Sequence, residues 1–141
     1  MNVFDDSFER LTGHKRHDWQ ARLAADAECS DRLMRIPTGF GKTAGVTIAW
    51  LWNRVHRKND AWPRRLVLCL PMRTLVEQTE RAVSEWISKA ELNSRVKVHF
   101  SAGNVQRLVR FEINVVACRK GNRDRQHLNS TARLALYRRD C

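Results

Sequence analysis

The segment Arg-Ile-Pro-Thr-Gly-Phe-Gly-Lys-Thr at residues 35–43 constrains the fold more than any other part of this chain. The apolar positions of Asp31–Ile36 predict a short strand before it, and the apolar run from Thr43 to Arg57 predicts a helix after it. Between them, two glycines allow the backbone to curl so that successive N–H groups converge on one anion at the positive end of the helix. This order of strand, glycine-rich turn and helix predicts a phosphate-binding loop.

The residue types in the loop indicate a nucleoside triphosphate. Lys42 supplies an ammonium group for the β- and γ-phosphate oxygens, and Thr43 supplies a hydroxyl for Mg²⁺. The longer form of the motif has a glycine where this chain has Ile36, so only a compact variant is present. The alternative is a plain turn with Lys42 in solvent, and the flanking strand and helix patterns favour the nucleotide site. The predicted nucleotide-binding residues of the loop are Pro37, Thr38, Gly39, Phe40, Gly41, Lys42 and Thr43.

The rest of the chain alternates between strand and helix patterns. The continuous apolar run Arg65–Leu70 predicts a strand covered on both faces, as in a parallel sheet. A helix at Leu75–Lys89 follows it, and two further strands are predicted at Val96–Phe100 and Ile113–Cys118. A short amphipathic helix is predicted at residues 16–28. This order predicts an α/β fold whose parallel sheet is flanked by helices.

A second segment suited to nucleic acid follows the strand at 65–70. Pro71 ends that strand, and the next helix begins with Arg73 and Thr74 and presents Gln78. Backbone amides and hydroxyl groups at a helix start suit a nucleic-acid phosphate. Taken alone, the segment is equally well an ordinary strand–turn–helix connection with Thr74 as the helix cap.

The composition limits the class of protein. No run of some 18 apolar residues occurs, and the first residues lack the pattern of a signal peptide, so neither a membrane span nor secretion is expected. The cysteines have no close spacing and are expected to be reduced thiols of a cytoplasmic protein. These cysteines are Cys29, Cys69, Cys118 and Cys141.

The loop and the segment after the second strand, in this order and at this spacing, resemble motifs I and Ia of superfamily 2 helicases. Upstream, Leu-Thr-Gly-His at 11–14 and Trp-Gln at 19–20 resemble the segment with which that family contacts adenine. Gln20 lies 22 residues before Lys42, a separation that the family shares. A glutamine amide can donate and accept at the same time, which suits the edge of adenine.

Further sequence segments narrow the resemblance to one family of these helicases. Trp-Leu-Trp at 50–52 and Leu-Pro-Met-Arg at 70–73 are similar to the helicase part of the CRISPR-associated helicase–nuclease of type I systems. The resemblance covers about residues 10–92. It implies a partial RecA-like P-loop domain that binds ATP and Mg²⁺, from a family that unwinds and degrades foreign DNA after recruitment by an RNA-guided CRISPR surveillance complex.

The resemblance also implies roles for single residues. Gln20 is expected at the adenine, Thr43 at the Mg²⁺, and Arg73, Thr74 and Gln78 at the backbone of single-stranded DNA. No catalytic residue is predicted, because the chain contains no Asp-Glu pair. In the family the aspartate of that pair positions Mg²⁺ and the glutamate activates the attacking water. ATP binding with negligible turnover is therefore expected.

The character of the chain changes near residue 98. Residues 1–92 hold 15 basic and 12 acidic residues, whereas residues 93–141 hold 11 and 3, within a net charge of +11. We therefore divide the chain into residues 1–98, the first part of the helicase ATP-binding domain, and residues 99–141, a basic and divergent segment. Two interpretations compete for that segment. In the first, it is a tail that binds nucleic acid through arginines. In the second, it is the product of a truncated or shifted reading frame. We favour the second, because the segments that resemble the family end near the point where the charge changes. Tail arginines of this kind are Arg119, Arg123 and Arg125.

Three other interpretations of the function are consistent with the sequence. The first is the motor fragment of a restriction-type helicase, which motifs I and Ia do not distinguish from the CRISPR-associated kind. The second is a basic nucleic-acid-binding module with a vestigial phosphate loop. The third is a fragment without function, in which half of a motor lobe leaves apolar faces open at Trp50, Trp52 and Trp86.

Overall fold

Two helices precede the phosphate loop and the sheet along the chain. The computed structural model describes residues 3–70, 72–100, 111–117 and 134–135. Helix α1 spans Val3–Thr12 and ends at Gly13, whose φ of 75° is the left-handed conformation that favours glycine. Helix α2 spans Asp18–Ala25, within the range predicted for a short amphipathic helix. The Arg16 guanidinium joins the two helices, because Nε and a terminal nitrogen both donate to Asp5 of α1, at 2.7 and 3.0 Å.

The helix after the phosphate loop is the most deeply buried element among the described residues. Helix α3 spans Lys42–Trp50 and continues into a π-helical turn at Leu51–His56, in agreement with the predicted helix. Every residue of α3 from Gly45 onward is buried, so the helix is covered on more than one side, as its apolar content predicts. Trp50 is fully buried, and its Nε1 donates to the carbonyl of Pro63 at 2.8 Å.

The expectation of open apolar faces at the tryptophans is wrong. Trp50 lies inside the core, and Trp52 and Trp86 are partly buried and pack against it. The ring of Trp52 contacts Phe4 of α1 edge-on, with ring centroids 5.6 Å apart. Helix α1, which the sequence analysis did not predict, therefore covers part of the surface that was expected to be open.

Among the residues that the structure describes, four strands form one sheet. They are β1 (Arg65–Leu70), β2 (Val96–Phe100), β3 (Phe111–Ala117) and β4 (Leu134–Ala135), and helix α4 (Arg73–Lys89) connects β1 to β2. The order in the sheet is β2-β3-β1-β4, with β3 parallel to both of its neighbours and β4 antiparallel to β1. The bounds of β1 and β2 agree with the predicted ones to the residue. Leu66, Leu68 and Leu70 of β1 are buried, and so are Val76, Val83 and Ile87 of α4.

The strand predicted at Asp31–Ile36 is absent. These residues have no regular secondary structure, and Leu33 is 71% exposed. Arg32 makes local bonds instead, donating to the Ser30 hydroxyl at 2.9 Å and pairing with the Asp26 carboxylate at 2.6 Å. A strand forms only where a partner strand shares its backbone hydrogen bonds, and within the described ranges no strand pairs with these residues.

Two compositional expectations have different outcomes. No helix in the described part of the chain is long and apolar enough to cross a membrane. The thiol of Cys29 is reduced, as expected, but Cys69 on β1 is disulfide-bonded, so the expectation of reduced thiols is wrong there. Spacing along the sequence does not show which cysteines meet in space. Cys118 and Cys141 lie outside the described residues, as do the tail arginines Arg119, Arg123 and Arg125.

Candidate nucleotide-binding site

The phosphate loop turns into α3 at two glycines with left-handed backbone conformations. Gly39 has a φ of 87° and Gly41 a φ of 67°, values that side chains disfavour. Gly41 is also the N-cap of α3, where its carbonyl accepts from the amide of Gly45 at 2.8 Å. A Cβ on Gly41 would lie 2.8 Å from Nε2 of Gln20. The second glycine is therefore required both for its φ and for this close approach.

The first turn of α3 presents backbone amides to an outside acceptor. The amide of Gly45 makes the first hydrogen bond at this end of the helix. Within the described ranges, no protein acceptor pairs with the amides of Lys42, Thr43 and Ala44. The start of a helix also carries a partial positive charge from the aligned peptide dipoles. These groups together suit a phosphate.

The side chain of Lys42 lies across the loop. It is half-buried, and its Nζ donates to the carbonyl oxygen of Ile36 at 2.9 Å. This hydrogen bond joins the start of α3 to the end of the exposed segment that leads into the loop. The ammonium group is thus held at the loop, where the sequence analysis expected it to meet a phosphate.

Gln20, the residue expected at the adenine, lies beside the phosphate loop and is 1% exposed. Its Oε1 accepts from the amide of His17 at 2.7 Å, at the start of α2. Its Nε2 donates to the carbonyl of Gly41 at 3.0 Å. The two ends of one amide therefore fasten the start of α2 to the turn of the loop.

A cleft of about 400 Å³ lies between the loop and the connection from α1 to α2. At the loop, the rings of His17 and Phe40 lie with centroids 5.2 Å apart, and Phe40 is 47% exposed. The cleft is lined by Phe8, Thr12, His14, Lys15, His17, Gln20, Gly39, Gly41 and Ala44. Most of these wall residues were not predicted individually, although the segment Leu-Thr-Gly-His at 11–14 marked this part of the chain.

Gly45 helps to shape the candidate site and was not singled out from the sequence. A Cβ there would lie 2.3 Å from Cη2 of Trp19 and 2.8 Å from Cγ of Gln20. Helices α2 and α3 therefore approach each other closely at this glycine, and that approach positions Gln20. The available signal was a glycine inside an otherwise apolar helix pattern, which marks either a flaw in the helix or a close contact.

The residues predicted for nucleic acid lie at the start of α4. Thr74 and Gln78 are exposed and four positions apart, so they lie on one face of the helix. Arg73 is the first residue of α4, and the position of its side chain is outside what the structure describes, as is Pro71. The N-cap of α4 is Met72, so Thr74 does not cap the helix.

The metal prediction rests on Thr43, which is half-buried in the first turn of α3. Among the described residues, no group of three His, Cys, Asp or Glu side chains is placed to hold a metal ion. The chemistry present fits an ion bound mainly through phosphate oxygens, with one hydroxyl from the protein, as is usual for Mg²⁺.

The ion pair between Arg16 and Asp5 supports the wall of the cleft. Hydrogen bonds from the Arg16 guanidinium lower the pKa of the Asp5 carboxyl group. Arg16 also donates to Asp18, the first residue of α2, at 3.0 Å. One guanidinium thus fixes α1 against the start of α2, next to His17 and Gln20.

Residues 17–134 match the family model described as DEAD/DEAH box helicase. No curated protein and no solved structure matches the chain. The matched range begins at His17, at the edge of the cleft, and contains Gln20, the phosphate loop and the first three strands.

Proposed function

Because the chain belongs to the DEAD/DEAH box helicase family, we propose that it is the ATP-binding portion of a superfamily 2 DNA helicase of the CRISPR-associated type. Membership of the family gives a helicase region with a RecA-like fold and a role in binding nucleotide and nucleic acid. The observation that carries the nucleotide-binding part of the proposal is the turn at Gly41, where the glycine backbone, the helix start, Lys42 and Gln20 meet.

The phosphates are proposed to bind at the first turn of α3. The amides of Lys42, Thr43 and Ala44 donate to phosphate oxygens, and Lys42 exchanges the carbonyl of Ile36 for the β- and γ-phosphates. The hydroxyl of Thr43 would hold Mg²⁺, which neutralises phosphate charge when bound. Pro37, Thr38 and Phe40 complete the loop around the phosphates.

The adenine is proposed to bind in the cleft beside Gln20. One hydrogen of Nε2 and one lone pair of Oε1 are used within the protein, which leaves one donor and one acceptor site on the amide. The exposed rings of His17 and Phe40 supply an apolar surface against which a base can lie. Nε2 of Gln20 donates to the carbonyl of Gly41, and the same carbonyl accepts the first hydrogen bond of α3. A base bound at Gln20 would therefore contact a side chain that holds the start of α3.

The DNA-binding part of the proposal places single-stranded DNA on Arg73, Thr74 and Gln78 at the start of α4. A cytoplasmic location and recruitment by an RNA-guided CRISPR complex belong to the same proposal and rest on the resemblance of sequence. The division into residues 1–98 and 99–141 rests on the change of charge, and the family match itself extends to residue 134. We keep a shifted reading frame as one interpretation of the basic segment, because basic residues are enriched and acidic ones depleted there. Reading the downstream DNA in all three frames tests it, and finding no Asp-Glu box there overturns it.

The nucleotide proposal is tested by titrating the purified chain with Mg²⁺ and a fluorescent ATP analogue. We expect saturable binding that Lys42→Ala weakens about tenfold or more, because charged hydrogen bonds to phosphate are lost. Lys97→Ala removes an exposed lysine on β2 and is the matched control, with unchanged affinity. Absence of binding by the unaltered chain contradicts the proposal.

Steady-state hydrolysis of ATP tests the second half of the proposal. We expect negligible turnover of this chain alone, with and without single-stranded DNA, because it contains no Asp-Glu pair to align water. DNA-stimulated turnover that Lys42→Ala abolishes would show that the chain hydrolyses ATP by other residues.

A further inference from the structure

The amino-terminal edge of the sheet carries a cluster of basic residues that the nucleotide site does not use. We call it the basic edge and define it as Arg57, Lys58, Arg64, Arg65, Arg95 and Lys97. Five of the six side chains are exposed, and that of Arg95 is half-buried. The charge pattern of the sequence pointed to basic residues in the C-terminal segment and not to this group.

The strand register and one hydrogen bond bring these residues together. Arg65 of β1 and Lys97 of β2 both lie in register with Glu112 of β3, so they occupy the same level of the sheet. A terminal nitrogen of Arg95 donates to the carbonyl of Val55 at 3.4 Å. This bond brings the end of the π-helical turn to the same end of the sheet. Arg57 and Lys58 follow that turn directly.

The backbone that presents Arg57 and Lys58 is well fixed. The amide of Arg57 donates to the carbonyl of Trp52 at 2.9 Å, and the amide of Asn59 donates to the carbonyl of Asn53 at 2.9 Å. Lys58 between them has a φ of 56°, a conformation in which glycine or asparagine is more stable than lysine. The position therefore carries a positive charge at some cost in conformational energy.

Acidic residues offset only part of this charge. Asp60 accepts a hydrogen bond from Arg54, whose guanidinium lowers the pKa of the Asp60 carboxyl group, so these two charges neutralise each other. In the part of the chain that the structure describes, two acidic residues lie near this end of the sheet: Glu91 before β2, and Glu112 in register with Arg65 and Lys97. Among the described residues, basic residues therefore outnumber acidic ones at this end of the sheet.

We propose that the basic edge binds the phosphate backbone of nucleic acid, at a surface separate from the nucleotide site. Four of its six residues are arginines, whose planar guanidinium groups match phosphate in two-point geometry. The charges are spread over two strands and a helix end, which suits a chain of phosphates better than a single anion. β1 separates this surface from the start of α4 by six residues, roughly 17 Å, so it is distinct from Arg73, Thr74 and Gln78.

The test measures fluorescence anisotropy of labelled 20-nucleotide DNA, single-stranded and duplex, without ATP and at several salt concentrations. The variant Arg57→Gln/Lys58→Asn/Lys97→Gln removes three charges, and asparagine suits the φ of residue 58. The control Arg10→Gln/Arg22→Gln/Lys89→Gln removes three exposed charges from α1, α2 and the end of α4, all outside the lining of the nucleotide cleft. Circular dichroism and thermal unfolding verify that both variants are folded.

We expect the first variant to bind about tenfold or more weakly, with a shallower dependence of affinity on salt, and the control to change little. Equal weakening by the control, or unchanged affinity of the first variant, overturns the proposal. Displacement of DNA by polyglutamate of matched charge as efficient as by unlabelled DNA also overturns it, because the surface would then suit acidic polypeptides. The unaltered ATP affinity of the first variant separates this proposal from that of the nucleotide site.

Discussion

The two sides of the phosphate loop are built in different ways. The segment before the loop, Asp31–Ile36, has no regular structure and leaves Leu33 in solvent. The helix after it is buried from Gly45 to Trp50. The loop is therefore held from one side, by α3 and by the hydrogen bond from Gln20 to Gly41. A nucleotide loop with this architecture depends on helix packing for its shape rather than on a strand.

The largest expected difference between the two sides is in stability. Trp50→Ala removes a fully buried indole and its hydrogen bond to Pro63, and we expect it to lower the free energy of unfolding by about 3–5 kcal/mol. Leu33→Ala in the exposed segment should change it by no more than about 0.5 kcal/mol. Urea unfolding of both variants makes the comparison. A large loss for Leu33→Ala would show that the segment packs as the predicted strand in solution.

A methyl group at the contact between α2 and α3 should have the next largest effect. Gly45→Ala forces a Cβ to within 2.3 Å of Trp19, and we expect a loss of about 1–3 kcal/mol in unfolding free energy together with weaker ATP binding. Gly39→Ala is the control for strain without a clash, because a Cβ at Gly39 meets nothing within 4 Å. If both variants lost equal stability and affinity, the contact with Trp19 would have no special part in shaping the loop.

Substitution of Gln20 separates its two hydrogen bonds. Gln20→Ala removes both, and we expect a loss of about 1–3 kcal/mol in stability and weaker ATP binding. Gln20→Glu keeps the acceptor for the His17 amide and removes the donor to Gly41. We expect this variant to lose at least as much stability as Gln20→Ala, because its carboxylate is buried against the Gly41 carbonyl, and to bind ATP no more tightly. Isothermal titration and thermal unfolding measure the two quantities, and wild-type affinity in Gln20→Glu would contradict a role for the Gly41 contact.

The smallest expected effect is the pH dependence of the Asp5–Arg16 pair beside the cleft. The pKa of Asp5 is lower in the folded chain than in the unfolded chain, where it has its ordinary value, so the unfolded chain binds more protons on acidification. The stabilisation is therefore present above the ordinary aspartate pKa and is lost as the pH falls through the lowered one. Asp5→Asn should flatten thermal stability between pH 5 and pH 3, by about the contribution of one exposed pair. An unchanged slope would show that the pair contributes nothing.

The sequence predicted those elements whose pattern alone determines them. β1 is a continuous apolar run between Arg64 and Pro71, so its bounds followed directly. Asp31–Ile36 failed because apolar content says nothing about whether a neighbouring strand is available. Helix α1 was missed although Phe4, Phe8 and Leu11 have the spacing of a buried helix face.

The candidate site likewise has parts that local sequence patterns predict and parts that depend on tertiary packing. The loop residues from Pro37 to Thr43 were predicted as a nucleotide site because glycine, lysine and threonine have roles that depend on local spacing, and they stay a prediction. Gln20 was predicted to contact adenine, but its burial and its two hydrogen bonds beside the loop were not predicted. Those depend on the packing of α2 against α3 at Gly45, which joins residues 25 positions apart. Contacts of this kind require the tertiary structure.

The π-helical turn at Leu51–His56 lies between the nucleotide site at the start of α3 and the basic edge, and it sets the helical phase between them. Its hydrogen bond from the amide of Arg57 to the carbonyl of Trp52 spans five residues instead of four, so the turn holds one residue more than a regular helix. Loss of one residue here would restore the regular repeat and rotate everything beyond it by about 100°. The nucleotide end of α3 would stay in place while Arg57 and Lys58 turned away from the sheet edge. The extra residue thus sets the angle between the two surfaces along one helix.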